Sequence, residues 1–505
     1  VLATDKTLTH LELANLVVKS LHKVGSVHVN PRCSHQVTLL LYDTQIWGLA
    51  KNGLSLEITV EDTKTSGVVY AKRLAPSPFT LDRPADFDHL PITNINENGI
   101  RALLYRLAKN RALLKMASIE AVTNSVELRD ANGLRIAKVD VVTPVGLPEQ
   151  WLRIFVMPGE DHKEMVMEMS KHLKGRLISD SNWDIWESVM RRQSRRRFDY
   201  TDYLSLSCSK DDDPLVKLNS KITGLIRRME LNTNGAAKDL DLEFCHDLRV
   251  DIRRMRVATQ LTHYLIPKNA SHKTKSARSS ILFTLKEFQR ICGEQRDLDV
   301  LLSSTVGQRL ARDSSHSALL EELVERRALA HKGLEVALDE MVIKEIAKSW
   351  TTLYLRLTGD IRSNPLHLSM EEFTKIAIKG ASREFLHQAR VTKKSMTHEQ
   401  MHRWRKQAKN LRYTLELFES LIDAKLFGRA LDELRIIQDR LGEFQDKEVT
   451  IQILAKCRSL TYEHGLLEEL SQERDRSFTS CSQLLIDPGK ETPVNRLRQT
   501  LKKIG

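Results

Sequence analysis

Apolar and polar positions divide the chain into two textures. Over residues 1–190 the pattern is mostly that of strands. After an amphipathic opening at Leu8–Val24, Val37–Leu41 runs into Tyr42-Asp43-Thr44. Leu54–Val60 then alternates, and Gly67–Leu74 suits its hairpin partner. Val126–Leu128 precedes an Asn132-Gly133 turn, and Ile136–Val142 and Trp151–Met157 complete the strand candidates. Helices are expected at Ile100–Met116 and His162–Lys174. Strands in this majority predict an α+β domain whose antiparallel sheet is strongly curved or closed into a barrel.

From Leu215 onward the pattern is helical. Amphipathic segments are expected at Leu215–Leu231, Glu243–Tyr264, Thr274–Gly293, Asp297–Leu310, Leu319–Met341 and Phe373–Gln388. Thr397–Ile422, Ala424–Leu441 and Lys447–His464 come next, with an end section. Roughly ten helices with short connections predict packed bundles. Residues 293–300 and 442–449 share G-E-x-x-D-x-x-V. Gly293 and Gly442 are expected as helix C-termini, and Asp297 and Asp446 as the next N-caps. Arg191, Arg192, Arg195, Arg196 and Arg197, then Asp211, Asp212, Asp213 and Pro214, mark a charged linker. The expected domains are therefore residues 1–190, a linker at 191–214, and residues 215–505 as two repeats dividing near residue 365.

Two helical segments carry matched cationic rows. In Cys245–Arg256, His246, Arg249, Arg253 and Arg256 fall at i, i+3, i+7 and i+10, and His402, Arg405, Lys409 and Arg412 repeat that spacing. Each set lies within a helical sector of about 80°. Beside the sectors run the apolar stripes Leu248, Ile252 and Met255, and Trp404, Ala408 and Leu411. A charged helix face is ordinarily a solvated one, but such faces mix signs because like charges at i, i+4 repel. Asp247 and Asp251 lie off the first sector, which leaves it uncompensated within its own helix. Recurrence of the row in a second helix points to an anion site.

Charge supports that direction. The chain of 505 residues has 78 Lys+Arg against 66 Asp+Glu, a net charge of +12 and a pI near 9.3. Such a balance favours an acidic partner: nucleic acid, another polyphosphate or an anionic surface. Aromatic residues are 6% of the chain, few for stacking on bases, and no DNA-reading motif is present. The six cysteines show no metal-ligand or C-x-x-C spacing and suit a reducing interior. No apolar run is long enough to span a bilayer, and the N-terminus lacks a signal-peptide pattern. The start at Val1 rather than Met leaves room for a short leader or first strand ahead of it.

With these motifs in hand, H-x-x-R-V-x-x-R-R-x-R, the R-D-L-D-V stretch and H-x-x-R-K-x-x-K-x-x-R-Y, the helical region resembles the CHAD family, the conserved histidine α-helical domain. The resemblance implies two pseudo-symmetric four-helix bundles with basic faces around a central pore or groove, and binding of inorganic polyphosphate. Carried over residue by residue, it points to His246, Arg249, Arg253, Arg254, Arg256 and Arg296 in the first half. In the second half it points to His402, Arg405, Lys406, Lys409, Arg412 and Tyr413; Gln445 stands where Arg296 would be matched. Lys221, Arg227, Arg228, Lys286, Arg290 and Arg383 are further candidates for the same groove.

Tyr42-Asp43-Thr44, Gly53-Leu54-Ser55-Leu56 and Tyr70-Ala71-Lys72 resemble the CYTH fold of triphosphate-tunnel enzymes. That family holds divalent metal on inward carboxylates and phosphate on basic residues. This chain lacks an opening Glu-x-Glu-x-Lys strand, has Glu57 or Thr59 where a strand arginine is due, and offers Arg153, Phe155 and Met157 in the late strand. Asp43, Asp140 and Lys72 alone give a hard cation little to bind. The expectation is a degenerate, CYTH-like tunnel without catalytic residues, metal or cofactor, followed by a noncatalytic polyphosphate-binding module with a targeting or regulatory role. Other polyanions are conceivable partners. The resemblance implies a cytoplasmic placement, at polyphosphate or storage granules. The alternatives are a metal-dependent triphosphate or polyphosphate hydrolase and a nucleic-acid-binding protein.

Overall fold

The computed structural model describes residues 2–4, 28–31, 35–61, 64–71, 77–81, 88–129, 132–147, 150–156, 182–201, 207–339, 341–363, 368–459, 464–485 and 491–504. Two compact units divide the chain, Val1–Asp202 and Tyr203–Gly505. The expected segments Leu8–Val24 and His162–Lys174, and Lys72 and Met157, lie outside the described residues.

The first unit is an antiparallel sheet. Its elements in order are β1 (Leu2–Thr4), β2 (His28–Pro31), β3 (His35–Thr44), α1 (Gly48–Lys51), β4 (Leu54–Glu61), β5 (Lys64–Ala71), β6 (Ser77–Thr80) and β7 (His89–Leu90). Next are α2 (Asn98–Ala108), β8 (Leu113–Arg129), β9 (Arg135–Pro144), β10 (Gln150–Val156) and α3 (Asn182–Arg192). Strand order is β1-β10-β9-β8-β3-β4-β5-β6, with β2 and β7 also paired to β8.

Alternation on β3 sends Leu39 and Leu41 to one face, under Trp186, Val189 and Met190 of α3, and Leu40 and Tyr42 to the other, under Leu104 and Ala108 of α2. The expected hairpin of β4 with β5 is present, and Gly133, at φ 81°, turns β8 into β9. The helix expected at Ile100–Met116 stops at Ala108. Lys109 and Asn110 take left-handed backbone, and Leu113 onward is strand, since its apolar side chains pair with β3. The basic knot belongs to this unit: Arg191 and Arg192 end α3, Arg195 pairs with Asp199 and Arg197 with Glu187.

The second unit is all helical. It comprises α4 (Pro214–Ala237), α5 (Leu242–Leu261), α6 (His272–Ser303), α7 (Thr305–Arg312), α8 (Ser317–Asp339) and α9 (Val342–Ser363). Then come α10 (Met370–Lys394), α11 (His398–Leu417), α12 (Ala424–Leu454), α13 (His464–Cys481) and α14 (Pro493–Ile504). α4 packs on α5, α5 on α6, and α6 on α8 and α9; likewise α10 packs on α11, α11 on α12, and α12 on α13 and α14. α5 also meets α11.

The apolar stripes are core as expected: Leu248, Ile252, Met255, Trp404, Ala408 and Leu411 are all buried. Gly235 allows α4 to approach α5, because a Cβ there would run into the Phe244 ring. α9 is absent from the expected helices, although Ile343, Ile346, Trp350, Leu353 and Leu357 bury one of its faces.

Two expected helix breaks do not occur. α6 and α12 run straight through Gly293 and Gly442, neither of which takes positive φ, and Asp297 and Asp446 are mid-helix residues rather than caps. A helical glycine costs only about 1 kcal/mol relative to alanine, which the buried leucines on either side outweigh. Because both helices are continuous, the two aspartates are presented sideways into a cavity.

Candidate functional site

Both cationic rows stand on capped helices. Asp241 accepts hydrogen bonds from the Glu243 and Phe244 amides to start α5, and Thr397 accepts one from the Gln400 amide to start α11. With the apolar stripes fixed in the core, the remaining orientation of each row is set by helical geometry. The rows meet at one cavity of about 520 Å³. α5 contributes Arg249, Arg253 and Arg256; α11 contributes His402, Arg405, Lys406, Lys409 and Tyr413. α6 adds Lys286, Gln289, Arg290 and Asp297, and α12 adds Gln445 and Asp446.

Partial neutralisation comes from neighbouring helices. Arg249 Nη1 lies 2.8 Å from Asp297 Oδ1, and Arg405 Nη2 lies 4.0 Å from Asp446 Oδ1. Arg290 is paired on its own helix with Glu287 and Glu294. Arg256 Nη1 donates to Gln289 Oε1 at 2.5 Å, a neutral partner. Among the described residues, Arg253, Arg256, Lys286, Lys406 and Lys409 have no carboxylate within ion-pair distance.

Crowding of like charge shows in the acidities. Lys409 is pushed down to about 6 by burial and then by Arg253, Arg405 and Arg249, with Asp446 opposing. Burial, then neighbouring cations, also lowers Lys406 and Arg253. His402 is lowered by burial, while its Nδ1 donates to Gln445 Oε1 at 2.5 Å. Such a site is costly when empty and relieved by an anion, which would return Lys409 to its charged form.

Several residues carried over from the sequence lie elsewhere. His246 does not line the cavity; its ring is beside Glu243 and Asp247, and Arg296, at the place matching Gln445, offers no acceptor to a histidine. Arg254 reaches α11 outside the cavity lining, 3.3 Å from Glu416 and above the Tyr413 ring. Arg412 is held 2.8 Å from Glu416, one turn on. Neither these nor Arg296 lines the cavity.

Of the further candidates, Lys286 and Arg290 are cavity residues. Arg228 is a buried partner of Asp251, its Nε 3.0 and 3.1 Å from the two carboxylate oxygens. Lys221 is buried beside Arg254 and Glu416, where burial pushes it down to about 8. Arg227 is exposed near Glu230, and Arg383 is exposed on α10. Sequence motifs do not single out Gln289, Gln445, Asp297 or Asp446 as cavity residues; α6 and α12 read as continuous helices would have put them on the cavity side.

The sheet unit treats its buried charges differently. Asp43 accepts from the Leu49 and Ala50 amides and so holds the start of α1, and burial raises it to about 6. Glu57 accepts from Trp186 Nε1 at 2.9 Å. Glu127 is paired with Arg129 and Arg135, and Asp140 with Lys138 and the Ser125 hydroxyl. Among the described residues, the one His/Cys/Asp/Glu group compact enough for a metal is Glu243, His246 and Asp247 on α5. No described helix is long and apolar enough to cross a membrane.

Residues 221–455 match the family model described as CHAD domain. A solved structure, the CHAD domain from the plant Ricinus communis, is similar at 20% identity and a TM-score of 0.44, over 60% of this chain and 96% of that one. No curated protein matches the chain.

Proposed function

Because residues 221–455 form a CHAD domain, we propose that the cavity between α5, α6, α11 and α12 binds inorganic polyphosphate without transforming it. The observation that carries this reading is the meeting of five cations, Arg253, Arg256, Lys286, Lys406 and Lys409, at one cavity with no carboxylate partner among the described residues. Polyphosphate is a linear anion with neither bases nor apolar surface, so a binder needs rows of donors along a path. Arginine supplies forked donors to paired oxygens, and lysine a point charge. Release of condensed counterions then supplies much of the affinity.

The same reading takes α4–α9 and α10–α14 as two pseudo-symmetric repeats, each presenting one cationic helix. It takes the sheet unit as a degenerate CYTH-like tunnel, supported by the engagement of Asp43, Glu57, Glu127 and Asp140 with partners inside the fold. A role in targeting or regulation, in the cytoplasm or at polyphosphate granules, belongs to the proposal.

The test is titration of the full chain with long polyphosphate, beside the joint variant Arg253→Glu and Lys409→Glu. Wild type should saturate, and the variant should lose at least about a hundredfold in affinity, since each reversed charge turns attraction into repulsion. Unchanged binding by the variant contradicts the site. Phosphate release from tripolyphosphate with Mg²⁺ or Mn²⁺ should stay at background; turnover would favour a hydrolase. Duplex DNA at matched salt should compete poorly.

A further inference from the structure

Three carboxylates line the cavity: Glu294, which is paired with Arg290 on its own helix, and Asp297 and Asp446, which lie against the arginines of the facing rows. Asp297 faces Arg249 at 2.8 Å and Asp446 lies 4.0 Å from Arg405. The two acids come from α6 and α12 and line the same cavity. Both meet solvent, with side chains 39% and 60% exposed, so they form cavity wall rather than sealed scaffold. Two arginines against two carboxylates leave this end nearly neutral. Lys286 lies on α6 about 16 Å from Asp297 along the helix axis; Arg253, Arg256 and Lys406 have no carboxylate of their own among the described residues, and Lys409, one turn on from Arg405, faces Asp446 without pairing to it. A phosphate advancing toward Arg249 and Arg405 must approach two like charges and displace an ion pair, at a cost that the cations behind it do not impose.

We infer that Asp297 and Asp446 are specificity-determining residues that end the anion track, so that a phosphate chain engages the cationic end and is denied Arg249 and Arg405. This rests on the polyphosphate reading of the same cavity. The consequence is a short footprint, with affinity reaching its plateau at modest chain length. Removing the two charges would hand both arginines to the anion and lengthen the track.

The experiment compares the full chain with its Asp297→Asn, Asp446→Asn variant, titrated with polyphosphates of graded length at 50 and 200 mM salt. The variant is expected to bind long chains about tenfold tighter at the lower salt, to lose affinity more steeply with salt by about two ionic contacts, and to plateau at longer chains. Asp297→Glu with Asp446→Glu should return the salt slope toward wild type. If the paired asparagines impair folding, Asp446→Asn alone, at the more exposed position, should show the same trend at about one contact. Equal or weaker binding with an unchanged slope overturns the inference and makes the carboxylates positioning groups for the arginines. Wild type that binds no polyphosphate at either salt ends the underlying reading as well.

Discussion

The two units bury charge to opposite ends. In the sheet unit each of four buried carboxylates has a partner of its own: amides for Asp43, the Trp186 indole for Glu57, Arg129 and Arg135 for Glu127, and Lys138 for Asp140. Charge there is consumed by the fold. In the helical unit cations outnumber the acids within reach, and the surplus converges on a cavity. The cost of that surplus is written in Lys409, driven to about 6 by burial and its arginine neighbours. A fold that leaves like charges together has kept a place for a counter-charge; a fold that pairs every one has made scaffold. The comparison also separates residues within the helical unit, since Arg228 and Arg254 behave like those of the sheet.

The sharpest way to break this distinction is at Arg228. If it is scaffold, Arg228→Ala leaves Asp251, which is fully buried, without its main partner. Stability should fall by about 3–5 kcal/mol in denaturant unfolding, while polyphosphate affinity of the folded fraction changes little. A large loss of affinity at unchanged stability would return Arg228 to the binding site.

Next in size is the response to pH. Lys409 near 6 in the empty site is mostly neutral at pH 7.5, and a bound anion raises its affinity for a proton. Binding therefore takes up a proton, and affinity should fall as pH rises from 6 to 8, by at most about tenfold per pH unit for one proton. Asp446, Arg249, Arg253 and Arg405 face Lys409 and set the size of the effect. For stability the sign is opposite to that of a paired lysine. The folded-state value lies below the unfolded one, so the empty protein loses stability as pH falls from about 10 toward 6. Calorimetry in buffers of different ionisation enthalpy measures the proton uptake; none at pH 7.5 would mean that Lys409 is already charged.

The smallest effect probes the sheet unit. Trp186→Phe keeps the ring in the core but removes the donor to Glu57, leaving that carboxylate buried with one partner fewer. Stability should drop by about 1–3 kcal/mol, read by thermal unfolding, with polyphosphate binding unaffected.

Much of the helical site was legible because helical spacing is strict. Arg249, Arg253, Arg405 and Lys409 share a sector with their neighbours and beside a buried stripe, and all four reach the cavity. The misassignments have local causes. Arg254 lies about 100° around the helix from Arg253 and so leaves the sector. Arg412 stands one turn before Glu416, whereas its counterpart Arg256 precedes Gln260; the acid claims the first arginine and the amide leaves the second to Gln289 and the cavity.

The glycines misled differently. Gly293 and Gly442, each four residues before an aspartate, resemble helix ends, and only tertiary packing keeps those helices continuous. In the sheet unit, β3 as a strand, the β4–β5 hairpin and the turn from the end of β8 into β9 were legible in alternation and turn residues, whereas most of β8 and its pairing with β3 were not. The early end of α2 was not, because Lys109 and Asn110 in left-handed backbone carry no glycine signal.

The most direct test of a surplus-charge cavity is the salt dependence of polyphosphate binding by the full chain, measured from 50 to 200 mM. Five cations without carboxylate partners predict a loss of about a hundredfold over that range, linear on logarithmic axes. Affinity that barely changes with salt would mean that these charges are already satisfied, and would contradict the account.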